Sequence, residues 1–311
     1  PADQVEAADL VTAVESHPGI EVLRNSTVTG RYDHNWVSVL ERSHPTAPER
    51  LIRARAGSLV VAPGLVERPY VFAGNDTPGV MLSGAVRRLI NLWSVKPGRR
   101  AVVLSANTQG DSALDDLRAA GVEIVASLDA RVGEDIVSVE GRGRARKVTL
   151  GDGRTVTADL VVTATGWTAP TSLLNMAGDR PVYDPVAARY FPGSLPDEVL
   201  ATGGIVGDGS TRELVEHGTS TGQLAANRAL RLRHHHRTTL ARAADPEGPA
   251  PEPLPDTREP LSRDPHPECY RSTTHGMVDL SEDVSSKDLL QAAAEGFDSI
   301  ELMKRYTTVT M

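Results

Sequence analysis

The chain has 311 residues and a net charge of −8, with 40% hydrophobic and 24% charged residues, which is enough for about two domains with sizeable cores. The acidic balance gives no bulk attraction to nucleic acid or to an anionic membrane, and no apolar run approaches the ~18 residues of a bilayer span. No charged-then-apolar leader opens the chain, so a cytoplasmic location is expected, and the single cysteine, Cys269, excludes both an intrachain disulfide and the redox pair of a disulfide reductase.

A helical stretch over 3–16 is followed by short β-rich runs at 20–23, 27–29, 36–41 and 51–56 and by the apolar run 58–62. Separated by Gly, Pro and Asn signals, these read as a meander feeding a buried strand. A helix over 84–93 is punctuated by Pro97-Gly98. The next stretch is a βαβ unit in miniature: a strand at 101–104, a turn at 105–110, a helix at 111–120 and a strand at 122–126, an order that imposes a parallel sheet. A hairpin with arms 137–150 and 154–157 about the turn 151–153 leads into the buried strand 159–164. A strand at 198–201 and a long helix at 211–231 then return the chain to its first domain. The domains expected are residues 1–97 with 159–232, and a shortened second domain over 98–158. A linker or arm rich in Arg, Pro and Glu occupies 233–267, and a small helical module 268–311, with a helix starting at Ser285-Ser286 and stopping at Gly296.

Three stretches carry candidate chemistry. The strand ending in Ala62-Pro63-Gly64 lets backbone come close to a ligand, because Gly64 has no Cβ to hold it off; an ordinary interdomain turn is the alternative. The run Thr202-Gly-Gly-Ile-Val-Gly207-Asp208 precedes a helix, so Asp208 can reach a ribose or ribitol hydroxyl while helix amides face a phosphate, or simply cap the helix. Thr165 and Gly166, after the strand 159–164, are expected to supply the companion strand end. The turn Ser105-Ala-Asn107-Thr-Gln-Gly110 occupies the slot of a G-x-G-x-x-G loop but keeps only its last glycine, and Asp129 stands where a ribose-binding acid would. A scaffold that no longer binds NAD well is the expectation there. His234-His235-His236 read as a solvated helix end, and Cys269 with His266 and His275 lacks the ligand count of a zinc site.

The end of the chain, Val284 to Met311 with its run Lys304-Arg305-Tyr306-Thr307-Thr308, resembles the small helical module of α subunits of heterotetrameric sarcosine oxidase and related amine-oxidising flavoprotein complexes. Glu67-Arg68-Pro69, Gly74-Asn75-Asp76 and Pro78-Gly79 resemble the same subunits. The resemblance implies an α/β fold with two dinucleotide-binding domains, glutathione-reductase-like, the first domain incomplete, in an internal fragment of a longer subunit that is inactive alone. It implies FAD or NAD at the first domain with Glu67 and Arg68 beside it, and FMN at a subunit interface near Lys304, Arg305 and Thr307. It also implies a small flavoprotein β subunit among the partners and oxidation of a secondary amine or N-methyl amino acid by the complex. A sister branch binds a [2Fe-2S] cluster in this module; residues 277–311 hold no Cys or His, so no cluster is expected. No catalytic acid or base is assigned. A self-sufficient FAD-dependent NAD(P)H oxidoreductase and a non-catalytic structural subunit are the alternatives.

Overall fold

Parallel strands cannot be joined by a tight turn, so a chain that builds them must leave and come back. Here it does so twice. The computed structural model describes residues 2–185, 187–207, 209–235 and 275–310. In chain order the elements are α1 (Ala2–Ser16), β1 (Ser26–Tyr32), β2 (Trp36–Glu41), β3 (Arg50–Arg55), β4 (Leu59–Val61), β5 (Val66–Glu67), β6 (Val80–Leu82), α2 (Ser83–Trp93), β7 (Arg100–Ser105), α3 (Thr108–Ala119), β8 (Glu123–Asp129), β9 (Ile136–Glu140), β10 (Lys147–Leu150), β11 (Thr155–Thr157), β12 (Leu160–Ala164), β13 (Trp167–Thr168), α4 (Ser172–Asn175), β14 (Val182–Asp184), β15 (Arg189–Phe191), β16 (Val199–Ala201), α5 (Thr211–His235), β17 (Met277–Asp279), β18 (Val284–Ser285), α6 (Ser286–Ala294) and α7 (Ile300–Thr307). One compact unit takes the residues up to 65, 169–183 and 190 through α5; the other takes 66–168, 184–189 and the C-terminal module.

In the first unit, β1, β2 and β3 form an antiparallel meander. The strand expected at 20–23 does not form: Ile20 and Val22 are exposed, and without a neighbour an extended run has no ladder to join. β4 pairs with β16 in parallel, Leu59 beside Val199 and Val61 beside Ala201. Val61, Leu174, Val199 and Ile205 form the core beneath them, and α5 packs against both strands.

The second unit is built on a four-stranded parallel sheet, β6-β12-β7-β8. Its two central strands, β12 and β7, are buried on both faces, the reason they read as continuous apolar runs. Ala101, Val103, Leu160 and Val162 pack with Val86 of α2 and Leu117 of α3, while Val102, Leu104 and Val161 pack with Tyr70, Phe72, Val139, Val148 and Leu150. The expected two-armed hairpin is a three-stranded sheet, β9-β10-β11, because the first arm folds back at 141–146, where Arg146 N–H donates to the Glu140 carbonyl at 3.0 Å.

This sheet moves the expected domain boundary. β12 lies between β6 and β7, with Val162 opposite both Met81 and Val103, so residues 66–97 and 159–168 belong with the second unit and not the first. The C-terminal module joins the same unit through Asn75, whose side-chain amide donates to the Met277 carbonyl at 2.9 Å and accepts from Met277 N–H at 2.7 Å. That bidentate pairing gives Asn75 a structural task. Ser285 and Asp288 form a capping box on α6, and the Phe297 and Tyr306 rings stack at 4.3 Å. The linker lies outside the described residues beyond 235, as do His236, His266 and Cys269.

Gly79, at φ +104°, immediately precedes β6, where a Cβ would sit 2.7 Å from the Asp159 carbonyl oxygen. Gly79→Ala is expected to destabilise the chain by about 2 to 4 kcal/mol through strain and clash at the β6–β12 junction, read as a lower urea midpoint. An unchanged midpoint would show that β6 is dispensable.

Candidate functional site

Ligands of open parallel sheets lie beyond the carboxyl ends of the strands, and in the first unit that edge is where the glycine-bearing loops meet. Val61 is followed by Ala62, Pro63 and Gly64, with Ala62 and Pro63 exposed; Ala201 is followed by Thr202 and a tight helical turn over Gly203–Ile205. Thr202 N–H donates to the Val61 carbonyl at 3.1 Å, which ties the two strand ends together. A Cβ on Gly204 would touch the Leu65 side chain at 3.4 Å, so the two loops lie against each other. Gly64 at φ +70° and Gly203 at φ +78° both present their missing Cβ to open space. That open glycine edge fits a group whose phosphates or ring must approach backbone closely. Gly207 is buried, and Asp208 lies outside the described residues. Ser210 and Glu213 close the start of α5, Ser210 N–H and Oγ both donating to the Glu213 carboxylate at 2.8 and 2.7 Å.

The other expected contacts fall in the second unit and have protein partners. The Glu67 carboxylate accepts from Ser83 N–H at 3.0 Å, from Gly84 N–H at 2.8 Å and from the Ser83 hydroxyl, capping the N-terminus of α2 where a negative charge is stabilising. The Arg68 guanidinium donates to the carbonyls of Ala188 at 3.0 Å and Thr165 at 3.4 Å. Gly166 accepts from Arg68 N–H at 2.9 Å. Thr165 and Gly166 follow β12, so they do not share a strand edge with Gly207. The structure therefore groups Ala62, Pro63 and Gly64 with the 202–207 loop, and Glu67, Arg68, Thr165 and Gly166 with one another.

The degenerate phosphate slot of the second unit is filled by its own side chains. Asn107 caps α3, accepting from Gln109 N–H and Gly110 N–H at 3.1 Å each, so the amides that would hold a phosphate already have an acceptor. A Cβ on Gly110 would lie 2.5 Å from Ser105 Oγ and 2.8 Å from the Ala164 Cβ. Ser105 donates to Asp111 at 2.7 Å, and Arg131 bridges Asp111 and Asp129 at 3.1 and 2.8 Å, which takes Asp129 as a salt-bridge partner. Burial alone would raise the Asp111 pKa, but the hydrogen bonds from Ser105 and Arg131 and the Arg131 charge outweigh it and hold the carboxyl below its usual range.

In the C-terminal module Lys304 and Arg305 occupy the last turn of α7. The Thr307 hydroxyl donates to the Met303 carbonyl at 2.8 Å and the Thr308 hydroxyl to the Thr307 carbonyl at 2.6 Å, while Tyr306 donates to Glu295. The donor protons of that run are committed within the module. Only the two cationic heads remain to meet an anion. Among the described residues no cluster of His, Cys, Asp and Glu is arranged to hold a metal ion, and no helix is long and apolar enough to cross a membrane.

His217 was not singled out from sequence, and Thr202 only as the first residue of its glycine-bearing run. Thr202 Oγ1 and His217 Nδ1 lie 2.7 Å apart, and a single histidine within a helix carries no spacing that would point to a strand end.

Residues 273–311 match the family described as the sarcosine oxidase A3 domain. Over 98% of its length the chain is 31% identical to the sarcosine oxidase subunit alpha of Rhizobium meliloti (strain 1021), of which it spans 32%. Over 93% of its length it is 29% identical to the corresponding subunit of Corynebacterium sp. (strain P-1), of which it spans 33%. The chain thus spans about a third of the length of these relatives. L-proline dehydrogenase from P. horikoshii superposes on 97% of this chain and 58% of its own at a TM-score of 0.68 and 19% identity, which establishes a shared α/β fold of the glutathione-reductase-like flavoprotein kind.

Because folded Asp111 keeps its charge to lower pH than the unfolded chain does, its contribution is present above the ordinary carboxylate range and disappears as pH falls through the folded value. Asp111→Asn is expected to lower the urea midpoint near pH 7, and the gap to the wild type to narrow at a second, acid pH below the ordinary carboxylate range. Parallel curves at the two pH values would contradict the Ser105–Asp111–Arg131 network.

Proposed function

The chain is a homologue of the sarcosine oxidase α subunit over nearly its whole length and about a third of that subunit's, and on that premise we propose that it carries the dinucleotide-binding part of an oxidoreductase subunit. The complex it serves oxidises a secondary amine or N-methyl amino acid at a partner flavoprotein subunit. The observation that carries this reading is the open edge at Gly64 and Gly203 on the parallel β4–β16 pair. FAD or NAD is the group that fits there, and when bound its ring supplies hydride acceptance. The chain's own part is to bind and orient. Gly64 and Gly203 bring backbone to the ligand, and Gly207 and Asp208 are the residues proposed for its ribose or ribitol hydroxyls. No proton-transfer residue is assigned to this chain.

The filled slot around Asn107 favours one dinucleotide over two, and so counts against a self-sufficient FAD-dependent NAD(P)H oxidoreductase, which needs a second open phosphate loop. A non-catalytic structural subunit is the remaining rival; bleaching of the bound flavin by amine in the assembled complex separates it from the proposal. In the C-terminal module, Lys304 and Arg305 are the groups proposed to meet the phosphate of an FMN at a subunit interface. Each charge-assisted bond of that kind contributes on the order of 1.5 to 3 kcal/mol when desolvated. Thr307, whose proton is committed to Met303, contributes by shaping the end of α7.

Two outcomes are expected in the full-length subunit. Gly64→Ala meets no protein atom within 4 Å and carries a left-handed strain of about 1 to 2 kcal/mol; it is expected to lower dinucleotide retention about tenfold or more with only a small fall in Tm. Retention equal to wild type would move the site away from this edge. Lys304→Ala with Arg305→Ala is expected to lower the FMN content of the complex while the dinucleotide content stays at wild-type level. Full FMN content and normal turnover would make that pair surface charge only.

A further inference from the structure

We propose that His217 is a positioning residue for the dinucleotide edge: through Thr202 it sets the direction in which the Gly203–Gly207 backbone leaves β16. This rests on the reading of the β4–β16 edge as the dinucleotide site.

Thr202 is 8% exposed and is held from two directions. Its N–H donates to Val61 of the neighbouring strand at 3.1 Å, and its hydroxyl bonds His217 Nδ1 of α5 at 2.7 Å. The next two residues, Gly203 and Gly204, have no side chains to fix their own path, and Gly203 already needs a left-handed backbone. Their geometry is therefore governed by what holds the ends of the segment. At the far end Ile205 is fully buried, packed into the core beneath the strands. At the near end the anchor is Thr202, and the strand ladder fixes only its amide.

The hydroxyl bond supplies the missing restraint, tying the strand end to a rigid helix. α5 is held against both strands by packing, and one turn beyond His217 the buried Thr221 hydroxyl donates to the His217 carbonyl at 2.8 Å. Burial pushes the His217 imidazole below its ordinary pKa, so near neutral pH one ring nitrogen carries a proton and the other accepts. Either tautomer satisfies Thr202, whose hydroxyl both donates and accepts. Asn at 217 places a polar atom close to the Nδ1 position; Leu fills the volume and removes it.

The test is a double-mutant cycle in the full-length subunit, with FAD and NAD added separately as probes and measured by equilibrium dialysis, and Tm recorded for every variant. Thr202→Val and His217→Leu are each expected to weaken the probe that the wild type binds by about tenfold, and the double variant to be no weaker than either single, because both remove the same bond. Thr202→Ser and His217→Asn are expected to recover affinity to within about threefold. Thr202→Val exchanges a methyl for a hydroxyl at nearly constant volume, so it carries the test even where His217→Leu folds poorly. Single variants that bind as the wild type does, or losses that add in the double variant, overturn the role of His217 and leave the site reading intact. A wild type that binds neither probe overturns the site reading itself.

Discussion

The candidate site depends on one pairing: three residues of β4 lie parallel to three residues of β16, 140 positions later in the chain. So short a parallel pair is not stable by its ladder alone. What reinforces it converges on Glu198, the residue just before β16. Its carbonyl accepts from Leu59 N–H at 2.8 Å, from Ser58 Oγ at 3.3 Å and from Asn35 Nδ2 at 3.4 Å, and its carboxylate pairs with Arg31 at 3.1 Å. Arg31 is 9% exposed in its side chain, so removing Glu198 would leave a nearly buried cation without that partner, a change far costlier than losing a surface ion pair. Asn35, itself buried, sits at φ +58° and also donates to the Ala56 carbonyl at 3.2 Å. Asparagine tolerates that backbone better than most residues. The meander is thereby more than a connection, because its turn between β1 and β2 fastens the amino ends of the two strands whose carboxyl ends carry the glycine loops.

Much of the second unit was legible because fully buried parallel strands are short uninterrupted apolar runs. Ala101 to Leu104 and Leu160 to Ala164 stand out for that reason. β6 did not, since Val80-Met81-Leu82 is three residues between a Pro-Gly turn and a helix, too short for any period to register. Missing it set the expected boundary at 97 and 159, whereas Val66–Thr168 lies in one unit; Thr165 and Gly166 follow β12 of that unit. Gly64 was legible as a glycine directly behind an apolar run. The task of Glu67 was not, because a carboxylate that caps a helix 16 residues further on leaves no local signature. Thr202 and His217 are joined only by the packing of α5 on the strands, a tertiary fact that spacing along a helix does not encode.

The two strand edges show how one topology is kept open or closed by a few side chains. At β4 and β16 the loops behind the strands carry Gly64 and Gly203, whose missing Cβ atoms face open space. At β7 the equivalent position holds Ser105, the helix amides are taken by Asn107, and Asp111 is drawn in by Arg131. Both arrangements satisfy the backbone N–H groups at the head of a helix, which must find an acceptor somewhere. At α3 a phosphate would have to displace the Asn107 bonds, and at α5 Ser210 and Glu213 already bond each other, so what stays open at the first edge is the glycine loops and not the helix head.

The same reasoning bears on α7. Lys304 and Arg305 lie in its last turn, where cations complement the negative end of the helix macrodipole by about 0.3 to 1 kcal/mol each. Thr307 and Thr308 close that end with their own hydroxyls. The presence of Lys304 and Arg305 in the last turn is thus already accounted for by helix termination. A phosphate at this end is therefore proposed on the charge of the two heads and not on the hydroxyls of the run, whose protons are held within the module.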